Sequence, residues 1–294
     1  MTLTDLRYFV ALADIRHFAR AAAACFVSQP TLSIAIKKLE DELDIALFER
    51  HRHDVLLTPA GERLAAQARV VLREADQLKQ MAQAERDEFS QPLRLGAIFT
   101  IAPYVFPTLI PALHVSEPSL LLYLEENYTA VLSEKLAAGE LDVILVADPL
   151  DLPETHSEKL YHEDFRLLLP AGHPWSQKPS VPAADLADAP MLLLGEGHCF
   201  RDQILATCPM NQPRLANGNS LETLRFMVAN GLGLTFIPAT AEPYLLNDSL
   251  RCTTITPAPH RNVIAVWRRR FPRPRAVQAL LRALHDLNLA GSTP

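Results

Sequence analysis

The chain has 294 residues, enough for two or three domains, and 49% of them are hydrophobic, which excludes a disordered chain without a core. Its net charge of −6 and pI near 5.9 exclude a whole-chain basic signal, so DNA binding must be argued locally. No basic and apolar leader opens the sequence and no apolar run reaches the ~18 to 20 residues that cross a bilayer, so a cytoplasmic chain without membrane contact is expected. In that compartment four cysteines point to buried thiols, a metal site or redox chemistry.

From Leu3 to Ala13, the positions Leu6, Phe9, Val10 and Ala13 follow helical spacing, with Thr4 as N-cap. A second helix, Phe18 to Ala24, reaches a turn at Cys25-Phe26-Val27, and Ser28 caps a third helix that carries Pro30 in its first turn, where a missing N–H does no harm. Two short helices and a tight turn are helix-turn-helix geometry. Leu32, Ala35, Ile36 and Leu39 face a core, leaving Thr31, Ser33, Ile34, Lys37 and Lys38 for other directions. Leu47 to Arg50 and His53 to Thr58 read as a hairpin wing, in which Arg50 is placed to neutralise phosphate. A helix from Ala60 to about Glu88 follows, with Leu64, Ala68, Val71, Leu72, Ala75 and Leu78 as an apolar stripe that predicts pairing with a second copy.

After Ser90-Gln91-Pro92 the pattern becomes strands alternating with helices. Strands are expected at 93–98, 120–125, 143–146, 165–169, 191–194, 234–237 and 263–267, and helices at 105–115, 130–138 and 221–230, which predicts βα units on a largely parallel sheet. Asn219 with Glu222 reads as a capping box, and Gly231 as the residue just past a helix end. Such units can form two subdomains with a ligand cleft between them.

Cys199 and Cys208 stand nine positions apart. If the segment between them is helical, their Cα atoms are roughly 13 to 14 Å apart, whereas a disulfide needs them within about 7 Å. Joining them then requires refolding. Spacing alone leaves three readings open: unrelated buried thiols, metal ligands with His198, or a redox pair. The start of a helix, with His198 and Arg201 nearby, favours thiolate at Cys199. Cys25 and Cys252 read as small buried apolar residues.

Ser28-Gln29-Pro30-Thr31-Leu32-Ser33, then Leu39-Glu40, Leu47-Phe48-Glu49-Arg50 and Leu57-Thr58-Pro59-Ala60-Gly61-Glu62, in that order and spacing, resemble the N-terminal signature of LysR-type transcriptional regulators. Gly197-His198-Cys199-Phe200-Arg201-Asp202-Gln203 with Cys208, and Ser220 to Arg225, are similar to the hydrogen-peroxide-sensing branch of that family. The resemblance covers essentially the whole chain. It implies a winged helix-turn-helix at 1–59, a linker dimerisation helix at 60–89, and a periplasmic-binding-protein-like α/β regulatory region at 90–294 whose second subdomain spans roughly 162–266.

The same resemblance implies DNA contacts from Ser28, Gln29, Pro30, Thr31, Ser33, Lys37 and Arg50. It implies Cys199 as the peroxide-reactive thiol, Cys208 as the resolving partner in a disulfide, and a peroxide pocket of Thr100, Thr129, His198, Asp202 and Arg261. The expected partners are promoter DNA, a homotetramer, RNA polymerase and a thiol reductant such as glutaredoxin or thioredoxin. No metal or cofactor is called for. A LysR-type regulator responding to a small organic effector and, from another class, a thiol peroxidase are the competing readings; the expectation is a regulator and not an enzyme.

Overall fold

The computed structural model describes residues 1–50, 55–84, 87–208 and 217–293, and the chain divides into two compact units, 1–85 and 86–294. The first unit holds α1 (Leu3–Ile15), α2 (Phe18–Ala24), α3 (Gln29–Leu43), β1 (Phe48–Arg50), β2 (Val55–Leu57) and α4 (Pro59–Ala84). The cap of α1 is Thr2, not Thr4: its hydroxyl accepts from the Asp5 N–H, and the Asp5 carboxylate accepts from the Thr2 N–H in return. Asp5 stands three residues beyond Thr2, and that reciprocal pair decides the helix start. Ser28 caps α3 as expected, accepting from the Thr31 N–H at 3.3 Å.

Two motifs of the N-terminal signature have visible work in this unit. The Glu40 carboxylate accepts from the backbone N–H groups of Leu47 and Phe48 and so ties α3 to the antiparallel β1–β2 wing. Thr58 accepts from the Gly61 N–H and donates to the Ala46 carbonyl, while a Cβ on Gly61 would stand 2.1 Å from the Leu47 carbonyl oxygen, so only glycine lets α4 start this close to the wing. His53 and Asp54 of the expected wing lie outside the described residues, as does the side chain of Arg50. The helix expected to reach Glu88 is described to Ala84, and 87–90 form a turn.

The second unit runs β3 (Leu93–Ile98), α5 (Ala102–Ser116), β4 (Leu122–Asn127), α6 (Thr129–Ala138), β5 (Val143–Ala147), β6 (Thr155–Pro170), β7 (Ser180–Pro182), β8 (Leu193–Leu194), α7 (Cys199–Thr207), β9 (Asn217–Gly218), α8 (Leu221–Ala229), β10 (Thr235–Pro238), α9 (Glu242–Leu245), β11 (Leu250–Thr256), β12 (His260–Arg268), α10 (Pro274–His285) and β13 (Ser292–Thr293). The main sheet has the order β4-β3-β5-β12-β6-β11-β7, with β10 and β13 also on β6. It is mixed, which corrects the largely parallel sheet expected from the alternation. Only β3–β4, β3–β5 and β11–β7 pair in parallel within it, because β12 and the long β6 run against their neighbours.

Two hydrophobic cores result. β3, β5, β12, α5 and α10 enclose one; β6 from Phe165, α7, α8, β10 and β11 enclose the other. Leu160 and Tyr161 of β6 belong to the first core and Phe165 to Leu169 to the second, so this strand passes through both. Val263 to Val266, expected in the second subdomain, pack in the first core. The cap of α8 is Ser220, which accepts from the Thr223 N–H, in place of the Asn219–Glu222 box; Gly231 has the positive φ of 74° that a helix end of this kind demands.

Candidate functional site

Cys199 is the first residue of α7, and His198 is its N-cap without a side-chain capping bond. On one stripe of this helix, at i, i+4 and i+8, Phe200, Ile204 and Cys208 are buried in the second core, while Cys199 is half-buried and packs against the first. The helical rise over nine residues puts the two cysteine Cα atoms roughly 13 to 14 Å apart, so the pair cannot join while α7 stands. Burial pushes the Cys208 thiol up, as it does those of Cys25 and Cys252, which pack on the first unit's core and the second core respectively.

Around Cys199 the two cores leave a small pocket. One wall is Ile98 at the end of β3 with Phe99 and Thr100 after it, and Asn127 at the end of β4 with Tyr128 and Thr129 at the start of α6; the other is Gly197 to Phe200. Thr100, Thr129, His198 and Cys199 therefore come together, from segments up to a hundred residues apart in sequence. The Thr129 hydroxyl and His198 Nε2 are buried and have no hydrogen-bond partner among the described residues. Burial holds the His198 ring below the usual histidine pKa and so neutral. Uncommitted polar atoms at such depth call for a ligand.

Arg261 stands behind this wall. Its Nη1 donates to the Thr100 hydroxyl at 2.8 Å and its Nη2 to the Thr100 carbonyl at 2.9 Å, which leaves the Thr100 hydrogen free to donate elsewhere. Its Nε donates to Glu163 Oε1 at 2.7 Å, and Glu163 Oε2 accepts from the backbone and hydroxyl of Thr240. The guanidinium also lies 5.5 Å from the centre of the Phe200 ring, next to Cys199 in sequence. Asp202 is exposed on α7 and is not part of the pocket lining. Sequence reasoning missed Glu163 and Tyr128. Glu163 is the cross-strand partner of Arg261 in the β6–β12 register, a relation invisible until that register is known.

In the first unit, Gln29, Pro30, Thr31 and Lys37 are exposed on α3, Ser28 is exposed at its cap, and Ser33 is half-buried. Beside them, Ile34 is exposed and Phe26, in the turn at a φ of 55°, is 96% exposed. An apolar ring so displayed adds to the face that the polar residues form, and an aromatic residue in the helix-turn-helix turn was its only sequence signal.

Residues 3–62 match the bacterial regulatory helix-turn-helix proteins of the lysR family, and residues 86–288 match the LysR substrate binding domain. The chain is 42% identical over 289 residues to the DNA-binding transcriptional dual regulator OxyR of Escherichia coli, covering 97% of this chain and 95% of that protein. It is 39% identical over 297 residues to a hydrogen peroxide-inducible genes activator of Haemophilus influenzae, covering 97% of each. The solved structure of full-length Pseudomonas aeruginosa OxyR with a Cys-to-Asp substitution superposes with a TM-score of 0.80 at 46% identity, covering 100% of this chain and 98% of that one. A hydrogen-peroxide-bound cysteine mutant of Corynebacterium glutamicum OxyR superposes at 0.64 and 30% identity, over 97% and 91%.

A helix-turn-helix unit followed by a two-core α/β unit with a small pocket is the architecture of a bacterial effector-responsive regulator. The chain belongs to the LysR family and, within it, to the OxyR type.

Proposed function

We propose that this chain is a DNA-binding transcription regulator that senses hydrogen peroxide through Cys199. The observation that carries the proposal is the convergence of Cys199 with the uncommitted Thr129 hydroxyl and His198 Nε2 in one small pocket. Its enclosed volume of about 10 Å³ has room for roughly one water-sized molecule, which supports peroxide over a small organic effector.

In the first step the Cys199 thiolate attacks one peroxide oxygen; an S–O bond forms, the O–O bond breaks, and hydroxide leaves and takes up a proton. Hydrogen bonds from Thr129, Thr100 and His198 hold the peroxide and stabilise the departing oxygen. In the second step the Cys208 sulfur displaces water from the Cys199 sulfenic acid and closes the disulfide. Because Cys208 shares its buried stripe with Phe200 and Ile204, α7 must unwind and draw all three from the second core. Two electrons from a thiol reductant, such as glutaredoxin or thioredoxin, restore the pair.

The exposed residues of α3 bind promoter DNA, α4 pairs copies within a tetramer, and rearrangement of the regulatory units changes promoter contacts and the engagement of RNA polymerase in the cytoplasm. Oxidation is here a stoichiometric signal, not turnover.

Brief peroxide treatment of the full chain followed by tryptic digestion and mass spectrometry should yield a Cys199–Cys208 linked peptide, and operator binding should change and be restored by dithiothreitol. Formation of the same oxidised species by a Cys199→Ser variant would overturn the mechanism. Sustained peroxide consumption with reductant would favour the thiol peroxidase.

A further inference from the structure

We infer that the three aromatic rings around the thiol pocket, Phe99, Tyr128 and His198, form a size filter that admits hydrogen peroxide and turns away alkyl hydroperoxides. This rests on the reading of Cys199 as the peroxide-reactive thiol and adds which peroxides reach it.

The three rings make a closed triangle. Phe99 meets Tyr128 edge-on at 5.2 Å between centroids, Tyr128 meets His198 edge-on at 4.8 Å, and Phe99 meets His198 at 5.8 Å in a tilted contact. Each ring is supplied by a different backbone segment: Phe99 follows β3, Tyr128 is the N-cap of α6 and His198 the N-cap of α7. Phe99 and Tyr128 are half-buried and His198 is buried, and all three line the pocket that holds Cys199.

Tyr128 is held down by what lies beneath it. Gly197 has a φ of 89°, and a Cβ there would stand 3.3 Å from the Tyr128 ring. Glycine thus supplies both the left-handed turn before α7 and the room for the ring to close over it.

Hydrogen peroxide is two oxygens, each able to donate and accept, and the Thr129 hydroxyl and His198 Nε2 of the pocket lining are both uncommitted among the described residues. A tert-butyl group adds four carbons that must displace a packed ring, and edge-to-face aromatic contacts resist that displacement. The bond changes are the same for both oxidants: S–O forms, O–O breaks, and hydroxide or alkoxide leaves and takes up a proton. A change in their rate ratio between variants therefore isolates access from leaving-group chemistry.

The test uses the full-length chain carrying Cys208→Ser, with Cys199 sulfenic acid trapped by dimedone and quantified by mass spectrometry after exposure to hydrogen peroxide or tert-butyl hydroperoxide. The rate ratio should favour hydrogen peroxide by at least a hundredfold. Tyr128→Ala should lower that ratio at least tenfold, while Tyr128→Phe, which keeps the ring, should preserve it. Phe99→Ala should act in the same direction and supplies the same readout if Tyr128→Ala fails to fold. An unchanged ratio in the alanine variants, or a ratio near one in the starting protein, would overturn the filter and leave Cys199 as the sensor. If hydrogen peroxide left Cys199 untouched, no ratio would exist, and the sensor reading would fall with the filter.

Discussion

At residue scale, Arg261 and Glu163 are both fully buried and hold one another at 2.7 Å, with Thr100 and Thr240 taking up their remaining bonds. Removing one partner of such a pair strands the other charge, which costs about 3 to 5 kcal/mol. Glu163→Gln should therefore lower stability by that amount, read from urea unfolding, and should loosen Thr100 at the pocket wall. His198 gives a pH dependence of known sign. Burial lowers its pKa in the folded chain, so the unfolded chain takes up a proton below pH ~6.5 that the folded chain refuses. Stability is unaffected by this group above that pH and falls as pH drops below it; the urea midpoint should be lower at pH 5.5 than at 7.5, and His198→Gln should remove part of the difference. The sequence made the pocket members readable only through family signature, since threonines at strand ends and helix starts carry no mark of their own. Tyr128 was not readable at all. Its position over Gly197 depends on two segments some seventy residues apart.

At the scale of elements, α7 is the piece under tension between two demands. Its stripe of Phe200, Ile204 and Cys208 stabilises the reduced form, and the same burial opposes the disulfide. Truncating a buried isoleucine to alanine costs about 2 to 5 kcal/mol. If Ile204 leaves the core on oxidation, Ile204→Ala destabilises the reduced chain by about that much and the oxidised chain by less. The disulfide potential should then move about 40 to 100 mV more negative at most, by the two-electron conversion of ~30 mV per 1.4 kcal/mol, in a thiol–disulfide titration. A shift in the positive direction would contradict the unwinding of α7. Elements with local signals were legible: Ser28 before α3, the apolar period of α1, and the β-rich run of β5 all stand in the sequence. Of the long β6 only 165–169 was, because its first residues are polar and exposed and read as loop until β12 pairs with them. α10 was missed although Pro274 at its start and buried Ala276, Val277, Leu280, Leu281 and Leu284 give it a helical period. Parallel and antiparallel pairing cannot be read from alternation alone, since direction is set by crossovers rather than composition.

For the whole molecule, α4 is the exposed link in the chain of effects. Leu78 is 70% exposed and Met81 52%, with Val71 also exposed on a helix of 26 residues. Leu64, Ala68 and Leu72 of the expected stripe pack on the first unit's own core, so the exposed Val71, Leu78 and Met81 are the residues proposed to meet another copy. Leu78→Lys should shift the protein toward smaller species in sedimentation velocity and weaken binding to a two-site operator more than to a half-site. Within the regulatory unit, β6 threads both cores and carries Glu163, so the two halves are riveted through shared strands and buried charge. Their geometry suits a local event better than a hinged closure. The two chemical steps are then separated in time. In the proposed mechanism the sulfenic acid forms with α7 still in place, whereas the second bond waits for that helix to let go of its core. Oxidant that comes and goes before the helix opens can be erased by reductant at the first sulfur, leaving the promoter undisturbed. On the proposed mechanism the buried stripe of α7 would act as a delay line, one that passes sustained exposure and ignores a transient.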